Sequence, residues 1–445
     1  MAGRKAATAA GLRLVELAKD ILIVTLTCSA VLLAARTPMF NQVRGWITPP
    51  VQVSQPPAWQ SEDAVIPAVI CVRNSLGLYG VSYDDDLVGQ AFWGDHLSSF
   101  LGEGLASADA PGRIGRQKWQ SLLLECPGIY CQFPGSLPLE TLQVWLGGQE
   151  KGNGLTGAAL ALVLVQSGDQ VCLAWQDRNG AYYLAPTKVT YEGRLETVLE
   201  EYAPNGAAYA YTLAEEDRAY THLAPFELIS MTSPQPQSWS VSAPDFVGNH
   251  NELETLLKAL GFHSWAGSTY ESGGELVINE GSDRLRVDSF GAVTFRAGEQ
   301  IRYPVNSGSP SATQAALCAW NLLNQAAAPW KGETSYVLTG VEETTQGWCV
   351  TFHSRLDGVD VLTGEEGWCA CFTVTSKGVT DFTLLLRKYA PTGTTSLLPT
   401  QRLAAAALSS IPESDGHLLL CYPDPGSGIM EAIWRTEILR RHEEE

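Results

Sequence analysis

The stretch ILIVTLTCSAVLLAA, residues 21–35, contains no charge and is closed by Lys19 and Asp20 on one side and Arg36 on the other. As a helix its fifteen residues reach about 22 Å, short of the ~30 Å hydrocarbon core of a bilayer. Leu14, Leu17, Ala18 and Ile21 carry one apolar face backwards at helical spacing, and Lys19 can lift its ammonium towards the headgroups. A helix over 11–35 spans about 37 Å and crosses with some tilt. Phe40 and Trp46 follow at the height of an aromatic belt. The reading is a single N-terminal transmembrane helix, with the rest of the chain folding on its far side.

Basic residues orient that helix. Arg4, Lys5, Arg13 and Lys19 precede the run and only Arg36 and Arg44 follow it closely, which keeps residues 1–10 cytoplasmic and places the bulk outside. A cleaved signal peptide is the competing reading of a run this long. Leu33-Ala34-Ala35 has a large residue where a signal peptidase needs a small one, and Thr25-Leu26-Thr27 before Cys28 is a poor lipobox, so a retained anchor is expected. Within it Thr25 and Ser29 are four apart, as are Ala30 and Ala34. Small residues at that spacing let two helices approach closely in lipid, and these four form the candidate partner-binding face. The ordinary alternative is that they are incidental in a lipid-facing helix.

The chain has 445 residues, 45% of them hydrophobic, and a formal charge of −19. Residues 1–44 hold six bases and two acids, net +4, which leaves −23 for the remainder. So acidic an exterior excludes nucleic acid as a partner and argues against lying flat on anionic lipid. Ten cysteines occur, one in the anchor. Nine without regular spacing do not make a disulfide framework, and most fall in apolar patterns where cysteine acts as a small hydrophobe. Cys126 and Cys131 are too far apart for a C-x-x-C, and Cys369-Ala370-Cys371 is C-x-C. A cross-strand pairing of Cys349 with Cys369 or Cys371 stays open at this level.

A linker at 36–63 follows the anchor, with Thr48-Pro49-Pro50 and Pro56-Pro57 favouring an extended spacer. A first α+β domain is expected over 64–231, with strands at 65–72, 128–133, 158–165, 170–175, 181–184 and 207–213. Its helices are expected at 84–102, 119–124, 139–146 and 195–202. Asn179-Gly180 marks a hairpin. A Ser- and Pro-rich stretch at 232–244 marks a boundary. A middle unit at 232–308 opens with Leu253, Leu256, Leu257 and Leu260 at helical spacing, followed by short strands at 275–278, 285–287 and 292–295. A C-terminal unit at 309–438 starts at the capping box Ser311…Gln314, runs a helix to about 323, and then strands near 336–341, 348–353, 367–374 and 379–386. An Ala-rich helix over 400–408 and closing strands at 417–422 and 432–434 complete it, before a charged tail at 439–445. A helix leading into an antiparallel meander thus occurs twice. The fold class is α+β, with two similar helix-plus-sheet units after a mixed first domain.

Chemical motifs are sparse. Gly152-Asn153-Gly154-Leu155-Thr156-Gly157 matches GxGxxG, but a helix precedes it and a strand follows, the reverse of a dinucleotide loop. Seven histidines, His96, His222, His250, His263, His353, His417 and His442, lack the spacing of a metal site. No GxSxG elbow, Walker loop or kinase signature occurs. No catalytic, cofactor-binding or metal residues are therefore assigned. Gly347-Trp348-Cys349 and Gly367-Trp368-Cys369 echo each other on neighbouring strands, with the tryptophans expected to cover one face of the last sheet.

Several short segments resemble the YycH regulators of Gram-positive bacteria, with YycI as the related shorter branch. These segments are Lys118-Trp119, the helix start Pro138-Leu139-Glu140-Thr141-Leu142-Gln143, and the turn Ala259-Leu260-Gly261-Phe262. They continue with Leu285-Arg286-Val287 before Gly291-Ala292-Val293-Thr294-Phe295, then Tyr303-Pro304-Val305 and Leu397-Leu398-Pro399. The many cysteines and the loop 147–157 depart from that pattern. The resemblance implies a three-part α+β extracytoplasmic region and a non-enzymatic regulator of a cell-wall sensor histidine kinase, acting through helix contacts in the membrane. It implies a sibling YycI-like regulator as a further partner, and no catalytic residues. The rivals are an envelope enzyme such as a wall hydrolase, recognised by converging carboxylates or a His–nucleophile pair, and a tethered wall- or ligand-binding module.

Overall fold

The computed structural model describes residues 64–82, 92, 97–146, 155–230, 234–263, 268–305, 310–408 and 416–438. The expected anchor, the linker, the charged tail and the four residues Thr25, Ser29, Ala30 and Ala34 lie outside the described residues. Among the described residues no helix is long and apolar enough to cross a membrane. The architecture is mixed α+β, with strand outweighing helix.

The N-terminal part is built on seven strands: β1 (Val69–Arg73), β2 (Tyr79–Ser82), β3 (Gly112–Ile114), β4 (Gly128–Pro138), β5 (Ala158–Ser167), β6 (Gln170–Gln176) and β7 (Tyr182–Pro186). They pair antiparallel in the order β2-β1-β4-β5-β6-β7-β3. Alternation along β5 explains the central position of that strand. Leu162 and Leu164 enter one apolar cluster, while Ala161, Val163 and Val165 enter another. Helices α1 (Leu97–Ser107) and α3 (Leu139–Trp145) supply Leu101 and Leu142 to the first cluster, and α2 (Arg116–Glu125) supplies Trp119 and Leu122 to the second. Trp119 stacks on Tyr182 with ring centroids 4.8 Å apart. The expected Asn-Gly hairpin joins β6 to β7: Gly180 takes φ +77°, and the Asp177 carboxylate accepts from the amides of Asn179 and Ala181.

Helix α1 runs past the expected end at 102, and part of that expectation, at 84–91 and 93–96, lies outside the described residues. Helix α4 (Glu196–Glu201) falls within the expected 195–202, and Gly193, at φ +91°, precedes it in a non-helical conformation. The strand expected over 207–213 is corrected. Only β8 (Ala208–Tyr209) is strand, since its partner β9 (Leu228–Ile229) is two residues long, and Ala210–Leu213 turns into helix.

Strand β10 (Gln237–Ser242) buries Trp239 completely in a small apolar cluster of its own. Helix α5 (His250–Ala259) starts at Asn249, whose side chain accepts from the amides of Asn251 and Glu252. It leads into β11 (Ser268–Ser272), β12 (Glu275–Glu280), β13 (Asp283–Val287), β14 (Ala292–Arg296) and β15 (Tyr303–Pro304). Helix α6 (Ala312–Ala327) carries the Ser311–Gln314 capping box in full and leads into β16 (Ser335–Thr344), β17 (Gly347–Leu356), β18 (Val359–Leu362), β19 (Ala370–Thr375) and β20 (Gly378–Leu385). Then come β21 (Lys388–Thr395), α7 (Gln401–Leu408), β22 (Gly416–Pro423), β23 (Gly428–Met430) and β24 (Ile433–Ile438).

The two meanders join. β14 pairs antiparallel with β20, so one twelve-stranded sheet runs from β11 to β24, with β15 and β16 attached at β20 and β17. Strand β18 pairs parallel with β22, and β10 lies between β21 and β23 in a separate three-stranded sheet. Phe295, Phe352, Phe372 and Phe382 line the core face of the large sheet, where α6 covers them with Ala315, Ala319 and Leu323. Trp348 joins this face half-buried, and its indole nitrogen donates to the Pro310 carbonyl at 2.8 Å. Trp368 is half-buried just before β19.

The N-terminal part is locked to the large sheet. Helices α3 and α6 touch, with the hydroxyls of Thr141 and Thr313 3.3 Å apart in the interior, and the Leu338 amide donates to the Ala64 carbonyl at 3.0 Å. Gly135 on β4 meets Thr339 on β16 so closely that a Cβ there would sit 1.8 Å from the Thr339 carbonyl oxygen. Backbone contact that tight demands glycine.

Candidate functional site

A cleft of about 280 Å³ opens where three parts of the chain converge. Strands β1, β4 and β5 supply a largely apolar floor that includes Phe133 and Leu160; the turn before β9 supplies Glu227; the β17–β18 hairpin with the turn after it supplies His353, Asp360, Glu365 and Glu366; and β22 and β24 supply His417, Trp434 and Arg435.

The hairpin wall is set by sequence-local geometry. Asp357 and Gly358 take φ +49° and +77°, both positive, as a two-residue primed turn requires. That turn pairs Leu356 with Val359 and places Arg355 opposite Asp360. The Arg355 Nε donates to Asp360 Oδ1 at 2.6 Å, and its Nη1 donates to the carbonyls of Ile66 and Pro67 at 3.3 and 3.2 Å. Arg355 is 1% exposed and Asp360 5%. Burial alone would push the Asp360 carboxyl up; the guanidinium of Arg355 and the nearby His353 outweigh it and hold the group down at about 2. His353 Nδ1 lies 3.7 Å from Asp360 Oδ2, beyond hydrogen-bond reach.

The opposite wall is more open. Glu227 accepts from the ring of His417 at 2.7 Å and from the Leu418 amide at 3.3 Å. Trp434 is tied by its indole nitrogen to the Pro399 carbonyl at 2.8 Å. Glu365 and Glu366 are exposed on the turn between β18 and β19, which an isolated bridge between Thr363 and Gly367 closes.

The titratable groups lining the cleft are four carboxylates, two imidazoles and one guanidinium. No Ser, Thr, Cys, Tyr or Lys is among the described residues that line it, and its two buried or half-buried acids, Asp360 and Glu227, are already engaged by Arg355 and His417. With those two engaged, the exposed carboxylates of Glu365 and Glu366 set against Arg435 favour a cationic or donor-rich ligand. Among the described residues no three His, Cys, Asp or Glu side chains gather as a metal site. The loop 152–157 enters β5 directly, in the order the sequence showed, and its first three residues lie outside the described residues.

The sequence reading did not bring these residues together. His353 and His417 stood as isolated histidines, and Glu227, Asp360 and Arg355 carried no motif. One local signal was available: the dipeptide Asp357-Gly358 between two β-rich runs, which places Arg355 opposite Asp360. The four small residues of the expected membrane helix, Thr25, Ser29, Ala30 and Ala34, form a separate candidate surface outside the described residues.

No protein-family model matches the chain, and no curated protein sequence does. A solved structure does: the crystal structure of YycH from Bacillus subtilis is similar over 86% of this chain and 95% of that chain, at 12% sequence identity and a TM-score of 0.50. At that identity the likeness is one of fold. The chain has a YycH-like fold.

Proposed function

We propose that the chain is a non-enzymatic, membrane-anchored regulator of a cell-envelope sensor histidine kinase, with its N-terminus in the cytoplasm and its folded part outside. The observation that supports this reading is the YycH-like fold, which extends over nearly the whole of the solved YycH chain. The uncharged run at 21–35 supplies the route by which an outer domain reaches a kinase. A regulator moves a kinase between states only through contacts that differ between those states, and a helix packed beside the kinase helix in lipid supplies such contacts. Thr25, Ser29, Ala30 and Ala34 form the proposed face. A sibling YycI-like regulator completes the assembly.

The test is co-purification of the histidine kinase with the full-length protein from native membranes, for wild type and for the Thr25→Leu/Ser29→Leu double substitution. The expected result is kinase recovery with wild type and its loss in the variant. Equal recovery from both contradicts the interface.

A tethered binding module is the second reading, and the acidic interdomain cleft favours it. Calorimetric titration of the protein with lysine- and arginine-containing dipeptides tests it. Heat that disappears on Glu365→Gln/Glu366→Gln substitution supports the reading, and the absence of heat with wild type contradicts it.

A further inference from the structure

Cys349 and Cys371 place their sulfurs 3.7 Å apart on the neighbouring strands β17 and β19. The register sets Cys349 opposite Thr373 and Thr351 opposite Cys371, so the two thiols meet diagonally across the ladder. Both are half-buried, whereas Cys71, Cys131, Cys172, Cys369 and Cys421 are buried. Of the two partners the sequence left open for Cys349, the structure selects one. Cys369 lies before β19, fully inside, and its amide donates to the Phe352 carbonyl. Cys371 is the thiol within reach.

The surroundings distinguish these two further. Burial pushes the thiols of Cys71, Cys126, Cys131, Cys172, Cys318 and Cys369 up. The hydrogen bond from the Cys371 thiol instead brings Cys349 down to about 7, against both burial and Glu342 on β16. Cys371 is pushed up by that same contact, by burial and by Glu366. On its other side β20 presents the uncharged Thr383 opposite Cys371, and Asp381 opposite Thr373, where Arg296 engages it. Once the pair loses one proton, the remaining thiol hydrogen-bonds the thiolate, with Cys349 the sulfur favoured to carry it.

We propose that Cys349 and Cys371 form a dithiol site that takes a low-molecular-weight disulfide as oxidant and closes into a cross-strand disulfide. The Cys349 thiolate attacks one sulfur of the small disulfide; a Cys349 mixed disulfide forms, the small S–S bond breaks, and one small thiolate leaves. Cys371 then gives up its proton to water, attacks the Cys349 sulfur and expels the second small thiolate. Two protein thiols are oxidised to one disulfide, and one small disulfide is reduced to two thiols. The sulfurs close from 3.7 Å to about 2.05 Å, a movement that side-chain rotation and a slight strand shift supply. Cys349, Thr351 and His353 alternate along β17 and share one of its faces, so the staple forms on the strand that carries His353 into the cleft. The proposal does not depend on the kinase reading.

The test treats reduced full-length protein with glutathione disulfide, quenches it with N-ethylmaleimide under denaturing conditions, and maps tryptic peptides by mass spectrometry. Cleavage at Arg355 separates Cys349 from the peptide that holds Cys369 and Cys371. The expected product is the linked pair of peptides, with fragment ions that place the bond at Cys371 and leave Cys369 alkylated. Cys371→Ser is expected to lose the linked species and to keep glutathione on Cys349, while Cys369→Ser keeps the link. Complete alkylation of Cys349 and Cys371 in oxidised wild type overturns the proposal, as does a bond that fragment ions place at Cys369. The wild-type fragment map decides between these results even if a variant fails to fold.

Discussion

Arg355 and Asp360 on one wall of the cleft are 1% and 5% exposed, whereas the His417 and Glu227 side chains on the other are 30% and 11% exposed. Each is an acid–base pair at hydrogen-bonding distance, yet their surroundings give them different work. Arg355 also holds the carbonyls of Ile66 and Pro67, so its charge stitches the large sheet to the first residues of the N-terminal part. Removing one partner from such a pair strands the other in the interior. His417 and Glu227 keep solvent access, and water can replace either partner. The buried wall is a clamp; the open wall is where a ligand has room to exchange contacts.

The largest expected break in this contrast is Arg355→Met, which leaves Asp360 uncompensated and frees two carbonyls. A loss of about 3–5 kcal/mol in unfolding free energy is expected, measured by denaturant titration; a loss below ~1 kcal/mol would erase the distinction between the walls. Gly135→Ala, at the same seam, forces backbone against the Thr339 carbonyl and is expected to cost about 3 kcal/mol. An alanine there with wild-type stability would show that the seam gives way freely.

Acid sharpens the same contrast. The Asp360 carboxyl titrates lower in the folded chain than in the unfolded one, so it stabilises the fold fully above pH ~4. That contribution, about 2 kcal/mol, falls away as the pH drops from ~4 through 2. Stability measured over that window in wild type and Asp360→Asn should converge towards low pH; parallel curves would contradict the assignment. The smallest effect belongs to the open wall. His417→Ala is expected to change unfolding free energy by no more than about 1 kcal/mol, and a loss of clamp size would make this wall structural too.

Local order was readable from the chain and distant order was not. The capping box at Ser311 and Gln314, the Leu253–Leu256–Leu257 stripe and the Asn179-Gly180 hairpin are contained within a few residues, and each forms where its pattern places it. Strand β21 escaped because it carries Pro391, which suits only an edge, and β11 because all five of its residues are exposed and lack a buried alternation. Strand β18 is only four residues long and buried throughout, so it offers no period to read. The fusion of the two meanders rests on β14 meeting β20, segments whose pairing no local pattern announces. The cleft is harder still: Glu227, Asp360 and His417 are brought together by the packing of three separate segments. Residue types alone marked none of them as partners.

The regulatory reading rests on a helix meeting its partner in the membrane, and in-cell photo-crosslinking from each position of residues 21–35 tests that most directly. The account predicts capture of a sensor histidine kinase, or of a sibling regulator, with helical periodicity that peaks at Thr25, Ser29, Ala30 and Ala34. Capture of lipid alone, in equal yield around the helix, would contradict it and leave the segment a tether.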